Sequence, residues 1–311
     1  ARAAAEAGLR CVLGETVVDF PAPDAPEPYG GIGYGVRFME EWQGDRLVTP
    51  CLAPHAPYTV SAEKLREIRS ISEARGLPTL MHIAETAPEN ARFAASHGST
   101  IRYLASEGLL HPGLVGAHMV YLDDEDIRIV AESGMSVAHC PASNAKSGRP
   151  VCRARELVEA GVRLGLATDG PISGNGMDMQ GVAGLYPKMQ KVLALDREAV
   201  PARDAVRAAT LGGAEAIGLG SVCGSLETGK RADMILVDVD AFNMQPAYDW
   251  YATVAYAMRP HNVDTVFVDG AVIRDRGGMR GFSEDETMAE MKAIAAGCSG
   301  VIAELGKGMI A

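Results

Sequence analysis

Four histidines and one aspartate stand at the ends of short apolar runs that recur roughly every 20 to 40 residues. Each run is short enough to form one buried strand, and a loop rich in Gly, Pro, Ser or Asn follows it. A parallel (β/α) barrel collects the carboxyl ends of its strands at one face, where such barrels keep their active sites. The pattern therefore predicts one shared site for these side chains, which are His55, His82, His118, His139 and Asp169.

Strands and helices alternate from Cys11 to about Pro201, which is typical of a parallel sheet or barrel. A closed (β/α)8 barrel has eight strands. Six strands are predicted here: Cys11–Val18, Leu47–Ala53, Thr79–Ile83, Leu114–Val120, Ser136–His139 and Arg163–Thr168.

The residues that begin and end the predicted helices support this interpretation. Ser61 can cap a helix that runs to Arg75, and Gly76 ends that helix. After Leu219, β-branched runs separated by turn residues indicate antiparallel strands. We therefore expect a (β/α) barrel domain over residues 1–219, and a small β layer with a terminal helix over residues 220–311.

Composition narrows the function classes. The net charge of -11 argues against nucleic-acid binding, because neutralising phosphates requires a basic face. Six cysteines without a CxxC spacing indicate reduced thiols, which favours a cytoplasmic protein. No apolar run approaches the length that spans a bilayer, so neither a nucleic-acid nor a membrane partner is expected.

His82 and Glu85 form an HxxE pair at a predicted strand end. A histidine at that position suits a metal, and a carboxylate three residues further on can deliver a proton to a ring nitrogen. Asp169 precedes a Gly-rich turn, where aspartate is also a common loop or helix-capping residue. In the functional interpretation, Asp169 binds the metal and takes a proton from metal-bound water.

The remaining histidines divide into three groups. His118 can orient the metal-bound hydroxide, and His55, in a proline-stiffened loop, can contact substrate. His139 is compatible with either a structural or a functional role. Any single histidine could be structural, so the hypothesis depends on four of the seven lying at strand ends. The others are interpreted as structural: His97, His111 and His261.

Together these motifs resemble the amidohydrolase superfamily, and are most similar to its 5'-methylthioadenosine/S-adenosylhomocysteine deaminase group and to triazine hydrolases. Order and spacing both match over nearly the whole chain. The motifs are APHAPYTVS (53–61), HIAET (82–86), GAHMVYL (116–122), HCPASNAKSG (139–148), LATDG…SGN…DM (166–179) and GSLETGKRADMILVD (224–238).

The resemblance implies an α/β fold, a (β/α)8 TIM-type barrel with a small β-sandwich. It also implies hydrolytic deamination or dechlorination of a ring with one divalent metal, zinc or Fe2+. His82 and Asp169 would be metal ligands, with Asp169 also the base. Glu85 would bind the ring and protonate its nitrogen, His118 would assist the attacking water, and His55 would contact substrate.

Two departures from the family pattern matter. The family's first barrel strand carries an HxH pair that supplies two further metal ligands, and this sequence contains no HxH. The opening ARAAAEAGLR matches the family only from the helix after the second strand. We therefore expect an N-terminally incomplete chain with little activity, whose barrel lacks its first two strands. The second departure is that the loop-like stretch Glu15–Gly35 lacks the arginines that help hold substrate in adenosine-type deaminases.

The predicted function is metal-dependent hydrolytic deamination of an aminated purine-type ring, such as adenosine, methylthioadenosine or S-adenosylhomocysteine. One alternative is another ring hydrolase, acting on an oxidised purine, a pterin or a chlorinated triazine. An alternative of a different class is a non-catalytic binding protein or inactive fragment, which metal content would distinguish. The expected partner is a small-molecule substrate, and the oligomeric state, including a homo-oligomer, stays open.

Overall fold

The computed structural model describes residues 1–276 and 278–308. Six parallel strands pair in chain order, each with the next one along the sequence, which confirms the predicted β/α architecture. All six predictions agree with the structure to within two residues at each end. The strands are β1 (Cys11–Val17), β2 (Val48–Pro54), β3 (Thr79–Ile83), β4 (Leu114–His118), β5 (Ser136–His139) and β6 (Arg163–Leu166).

Helices connect these strands and continue to the end of the described chain. Two short 3-10 segments (Phe242–Met244 and Pro260–Asn262) and one π segment (Thr253–Ala257) lie near the second sheet. The α-helices are α1 (Arg2–Glu6), α2 (Gly30–Glu41), α3 (Ala62–Arg75), α4 (Ala87–His97), α5 (Thr100–Ser106), α6 (Asp124–Ser133), α7 (Pro141–Lys146), α8 (Ala154–Glu159), α9 (Pro171–Gly174), α10 (Met179–Ala194), α11 (Ala202–Ala209), α12 (Leu211–Ala216), α13 (Trp250–Ala252) and α14 (Glu284–Gly308).

The predicted punctuation of α3 is confirmed. The Ser61 side chain accepts a hydrogen bond from the backbone N–H of Lys64, which satisfies one of the free donors at the helix start. Gly76 ends the helix at φ +64°, a left-handed conformation that glycine adopts without steric cost.

Helix α2 corrects the expectation of a loop over residues 15–35. Glu15 belongs to β1, and the helix begins at Gly30. The run GGIGYG has low helix propensity, which hid the helix from pattern reading. The glycines permit close packing on the sheet, because a Cβ atom at Gly31 would lie 2.2 Å from the Thr16 carbonyl oxygen.

The apolar core lies between the parallel sheet and its helices. Five successive strands each contribute a side chain that is at most 4% exposed, as a parallel sheet covered by helices requires. These side chains are Leu52, Ile83, Leu114, Val137 and Leu164. The core fixes the height and spacing of the strand ends, where the candidate site lies.

A second, antiparallel sheet confirms the predicted β-branched strands. Its order is β10-β9-β8-β7, formed by β7 (Met234–Val237), β8 (Val263–Val268), β9 (Ala271–Asp275) and β10 (Gly278–Met279). Arg10, just before β1, forms an ion pair with Asp233 of this region and lies 3.6 Å from Asp269. Nearly buried charges of opposite sign therefore join the two sheets.

Among the described residues, no helix is both long enough and apolar enough to cross a membrane.

Candidate functional site

The structure places the predicted site residues at the carboxyl ends of the parallel strands. His82 lies within β3, and Glu85 follows that strand by two residues. His118 is the last residue of β4, His55 directly follows β2, and Asp169 lies three residues beyond β6. Residues from four strands thus reach the same face of the sheet, as the strand-end argument predicts.

The backbone at these strand ends adopts left-handed conformations that are uncommon for residues other than glycine. The φ angles are +51° at Ala84, +74° at His118, +54° at Met119 and +64° at Asp169. Such conformations are costly and cluster at functional sites, where surrounding structure holds them. This local strain is an independent indication that the strand ends form a working site.

The imidazoles of His55, His82 and His118 lie side by side across the strand ends and form a histidine row. The ring centroid of His82 lies 5.1 Å from that of His55 and 5.4 Å from that of His118, on which it stacks. Nδ1 of His82 lies 2.7 Å from the carbonyl oxygen of His55, so Nδ1 donates and Nε2 keeps its lone pair. Nδ1 of His55 contacts the hydroxyl of Thr59 at 2.9 Å. His82 is therefore oriented as a metal ligand would be.

Glu85 is held from both sides. Its Oε1 oxygen lies 3.3 Å from Nε2 of His118 and 2.7 Å from Nη1 of Arg149. The backbone N–H of Glu85 donates to the carboxylate of Glu89, which is buried at the start of α4. The backbone of Glu85 is thus fixed by the start of α4, and its carboxylate is fixed by the side chains of His118 and Arg149.

His118 is 1% exposed and contacts Glu85 and Asn144 at opposite nitrogens. Its Nδ1 lies 2.9 Å from the amide oxygen of Asn144, which can only accept, so Nδ1 carries a hydrogen. Contact of Nε2 with a carboxylate then requires one further proton between His118 and Glu85. Burial lowers the pKa of the His118 imidazole, and the negative charge of Glu85 offsets part of this effect.

Asp169 is fixed by two hydrogen bonds. Its Oδ2 accepts from the Ser143 hydroxyl at 2.6 Å, and its Oδ1 accepts from the backbone N–H of Gly170 at 2.6 Å. Burial acts to raise the pKa of the Asp169 carboxyl, but these two donors and the imidazoles of His118 and His82 outweigh it and lower the pKa. The carboxylate is therefore held in its charged form near the histidine row.

His139 is the remaining strand-end histidine. It is 1% exposed at the end of β5, and its ring makes an edge contact with Tyr186 at 5.5 Å between centroids. Among the residues that the structure describes, neither ring nitrogen of His139 has a hydrogen-bond partner. His139 thus lies in the interior at the end of β5, packed against Tyr186.

The segment after β5 supplies functional residues that sequence reasoning missed. Ser143 contacts Asp169, Asn144 contacts His118, and Arg149 contacts Glu85. The run HCPASNAKSG carries the first two, but serine and asparagine are common in loops and gave no signal of their own in the sequence. Arg149 lies in a polar loop with no local signal, so only the fold reveals its contact with Glu85.

The described side chains fit part of a metal site. His82 offers a free Nε2 lone pair and Asp169 an ionised carboxylate, both suitable for a divalent ion. Within residues 1–276 and 278–308, no group of three or more His, Cys, Asp or Glu side chains is arranged to hold a metal. Catalytic zinc sites use three protein ligands and a water. The described residues therefore do not complete such a site.

A family model described as the amidohydrolase family matches residues 1–273 of the chain. The chain belongs to the amidohydrolase family. This assignment confirms the resemblance read from the motifs. Members of this family are metal-dependent, and the names of the relatives support the prediction of a hydrolase that acts on C–N bonds.

Two curated relatives illustrate the similarity. The 5-methylthioadenosine/S-adenosylhomocysteine deaminase 1 of Syntrophus aciditrophicus is 34% identical over 95% of this chain and 67% of its own length. The 5-methylthioadenosine/S-adenosylhomocysteine deaminase of Syntrophobacter fumaroxidans is 35% identical over 95% of this chain and 68% of its own. The chain therefore spans about two thirds of the length of these relatives.

Solved structures support the same fold. A zinc-bound adenosine deaminase from Xanthomonas campestris superimposes with a TM-score of 0.91 at 33% identity, over 94% of this chain and 67% of that one. An atrazine chlorohydrolase from Arthrobacter aurescens, complexed with zinc, gives 0.84 at 19% identity over 94% and 67%, which shows the fold alone. These superpositions confirm the predicted (β/α) barrel type.

Proposed function

We propose that the chain carries the proton-transfer half of a metal-dependent deaminase that acts on an adenine-type ring. The observation that supports this most directly is the position of the Glu85 carboxylate. It contacts His118 at 3.3 Å and Arg149 at 2.7 Å at the carboxyl ends of the strands. Relatives named as deaminases of adenosine-type compounds match most of the chain.

Glu85 and His118 are proposed to hold and move the proton. In hydrolytic deamination a water oxygen bonds to the amino-bearing ring carbon, and one proton of the water reaches the adjacent ring nitrogen. The exocyclic C–N bond then breaks, and the amine takes the second proton of the water and leaves as ammonia. The Glu85–His118 contact stores a proton at Oε1 or Nε2, within reach of a ring placed over the strand ends. A positioned acid or base of this kind contributes roughly 10²–10⁴-fold to a rate.

Arg149 is proposed to keep Glu85 in place between turnovers. Its guanidinium contacts the same Oε1 oxygen as His118, so the carboxylate keeps one orientation when no substrate is bound. His55 faces the opposite end of the histidine row and is proposed to contact the substrate.

A divalent metal, which we propose is zinc, would when bound supply an activated water by lowering the pKa of that water to about 7. His82 and Asp169 are proposed as two of its ligands. This chain's own contribution is to orient them, through the His55 carbonyl for His82 and through Ser143 and Gly170 for Asp169.

The test is a chimera that joins this chain to the third of the Syntrophus aciditrophicus relative that it does not match. We expect zinc-dependent release of ammonia from adenosine, methylthioadenosine or S-adenosylhomocysteine. The matched control, Glu85→Gln in the same chimera, should keep the zinc and lose roughly 10²–10⁴-fold in turnover.

Two results would contradict the proposal. A zinc-loaded chimera that releases ammonia from none of the three adenine compounds would exclude the substrate class. Unchanged turnover in Glu85→Gln would exclude Glu85 as the proton carrier. Hydrolysis of a chlorinated triazine in place of the adenine compounds would favour the ring-hydrolase alternative.

A further inference from the structure

His139 is an unusual buried residue because both of its polar atoms lie in the interior. A neutral imidazole has one N–H donor and one acceptor nitrogen. In the described part of the chain, neither nitrogen is hydrogen-bonded, although the residue is 1% exposed. Buried polar groups are almost always satisfied by protein or by ordered water, so such a residue demands a partner.

Asn144 presents the same situation next to the functional site. Its Oδ1 is engaged by Nδ1 of His118 at 2.9 Å. Its Nδ2 is buried and, within residues 1–276 and 278–308, has no hydrogen-bond partner. An amide held firmly at one end thus directs two N–H donors into the interior.

A small cavity joins these two residues. Its volume is about 10 Å³, and His139, Asn144 and Arg149 are among the residues that line it. A site of roughly 10–15 Å³ with polar partners holds one water molecule, whereas apolar cavities stay dry. The volume of the cavity matches a single water. So do the polar atoms of His139 and Asn144, which lack hydrogen-bond partners within residues 1–276 and 278–308.

We propose that a buried water bridges Asn144 and His139 in this cavity, and that His139 is a positioning residue for His118. The bridge pairs one N–H of Asn144 and the acceptor nitrogen of His139. Nδ2 of Asn144 donates to the water oxygen, and the water donates to the acceptor nitrogen of His139. Oδ1 of Asn144 then holds Nδ1–H of His118, whose Nε2 faces Glu85. His139 would thus fix the orientation of Asn144, and through Asn144 that of His118, the proposed proton carrier.

The buried environment of His139 keeps its ring in one protonation state. Burial, with a smaller contribution from the neighbouring His118, lowers its pKa to about 3. The ring therefore stays neutral at neutral pH and offers the same acceptor throughout. Phenylalanine would fill the same space without the acceptor, which makes the role of the nitrogen separable from that of the ring.

The first test is a high-resolution crystal structure of the 311-residue chain without substrate. We expect one fully occupied water within hydrogen-bond distance of a His139 ring nitrogen and of Nδ2 of Asn144. A dry cavity, or a direct contact between the amide and the imidazole, would overturn the proposal.

The second test is two-bond ¹H–¹⁵N NMR of the histidine rings in the wild type and in variants. His139→Phe should shift the His118 ring resonances, and His139→Gln, which retains a polar group, should return them towards the wild-type positions. Val151→Ala alters the lining of the same cavity without removing a side-chain hydrogen bond, and should leave His118 unchanged. His118 resonances that are identical in His139→Phe and wild type would refute the positioning role. Should His139→Phe fail to fold, His139→Gln and the crystal structure still decide the question.

The catalytic consequence rests on the proposed function and is measured in the chimera. His139→Phe should lower kcat by about 10- to 100-fold with KM nearly unchanged, since small misplacements of a catalytic group cost this much. His139→Gln should recover part of the loss. If no adenine compound is turned over by the parent chimera, the proposed function fails, while the water and the NMR shifts still test the inference. A kcat that His139→Phe leaves unchanged would contradict it.

Discussion

The contact between Arg149 and Glu85 can be tested by a double-mutant cycle on the 311-residue chain. Arg149→Met removes the guanidinium and keeps much of the apolar stem, while Glu85→Gln removes the charge and keeps the shape. The cycle isolates the pairwise interaction, because other effects of each substitution cancel in the double variant.

The expected coupling follows from the geometry. The two atoms lie 2.7 Å apart, and the Arg149 and Glu85 side chains are only 23% and 15% exposed. Exposed ion pairs contribute about 0.2–1 kcal/mol. Since this ion pair is mostly sheltered from solvent, we expect a coupling near the upper end of that range, about 1 kcal/mol.

Urea-induced unfolding of the wild type, both single variants and the double variant gives the coupling. The pair Arg128–Glu125 on α6 is a matched control, with side chains that are 53% and 49% exposed, and the same substitutions there should be additive. Additivity within about 0.5 kcal/mol at Arg149 and Glu85 would refute the view that Arg149 holds Glu85 in place.

Two further outcomes are expected. The 311-residue chain should bind zinc weakly in titration calorimetry, and His82→Ala should abolish the residual binding, because the described residues offer no three-ligand group; tight binding that survives His82→Ala would exclude His82 as a ligand. Burial raises the pKa of Asp233, but the Arg10 guanidinium and the Asp269 amide outweigh it and lower the pKa below its unfolded value. The stability that Asp233 contributes is therefore present above about pH 4 and lost as the pH falls through the folded pKa. Urea melts at several pH values should show the gap between wild type and Asp233→Asn closing in acid, and a gap independent of pH would contradict the ion pair.

Local patterns account for most of the fold that could be predicted from the sequence. Strand β3 matches its predicted bounds, and α3 begins and ends at its predicted caps, because hydrophobic period and capping are properties of neighbouring residues. Helix α2 was not predicted, since glycines with low helix propensity are needed there for contact with β1. Tertiary packing overrides propensity at that point.

In the candidate site, too, one part could be predicted from the sequence and another could not. The positions of His55, His82, Glu85, His118 and Asp169 follow from the rule that parallel strands end at one face. The side-chain partners do not follow from any rule of spacing. Arg149 and Glu85, for example, lie far apart in the chain, and their contact depends on how a polar loop closes over the strand ends.

One segment explains why position was predictable and orientation was not. The strands fix where the backbone of each functional residue lies. Residues 141–149, which follow β5, then supply one partner each to Asp169, His118 and Glu85, and those partners are Ser143, Asn144 and Arg149. Because a single short segment sets three orientations, a shift of this segment would misalign all three functional groups together. The proposed water between His139 and Asn144 would hold this same segment from its buried side, which ties the further inference to all three functional groups.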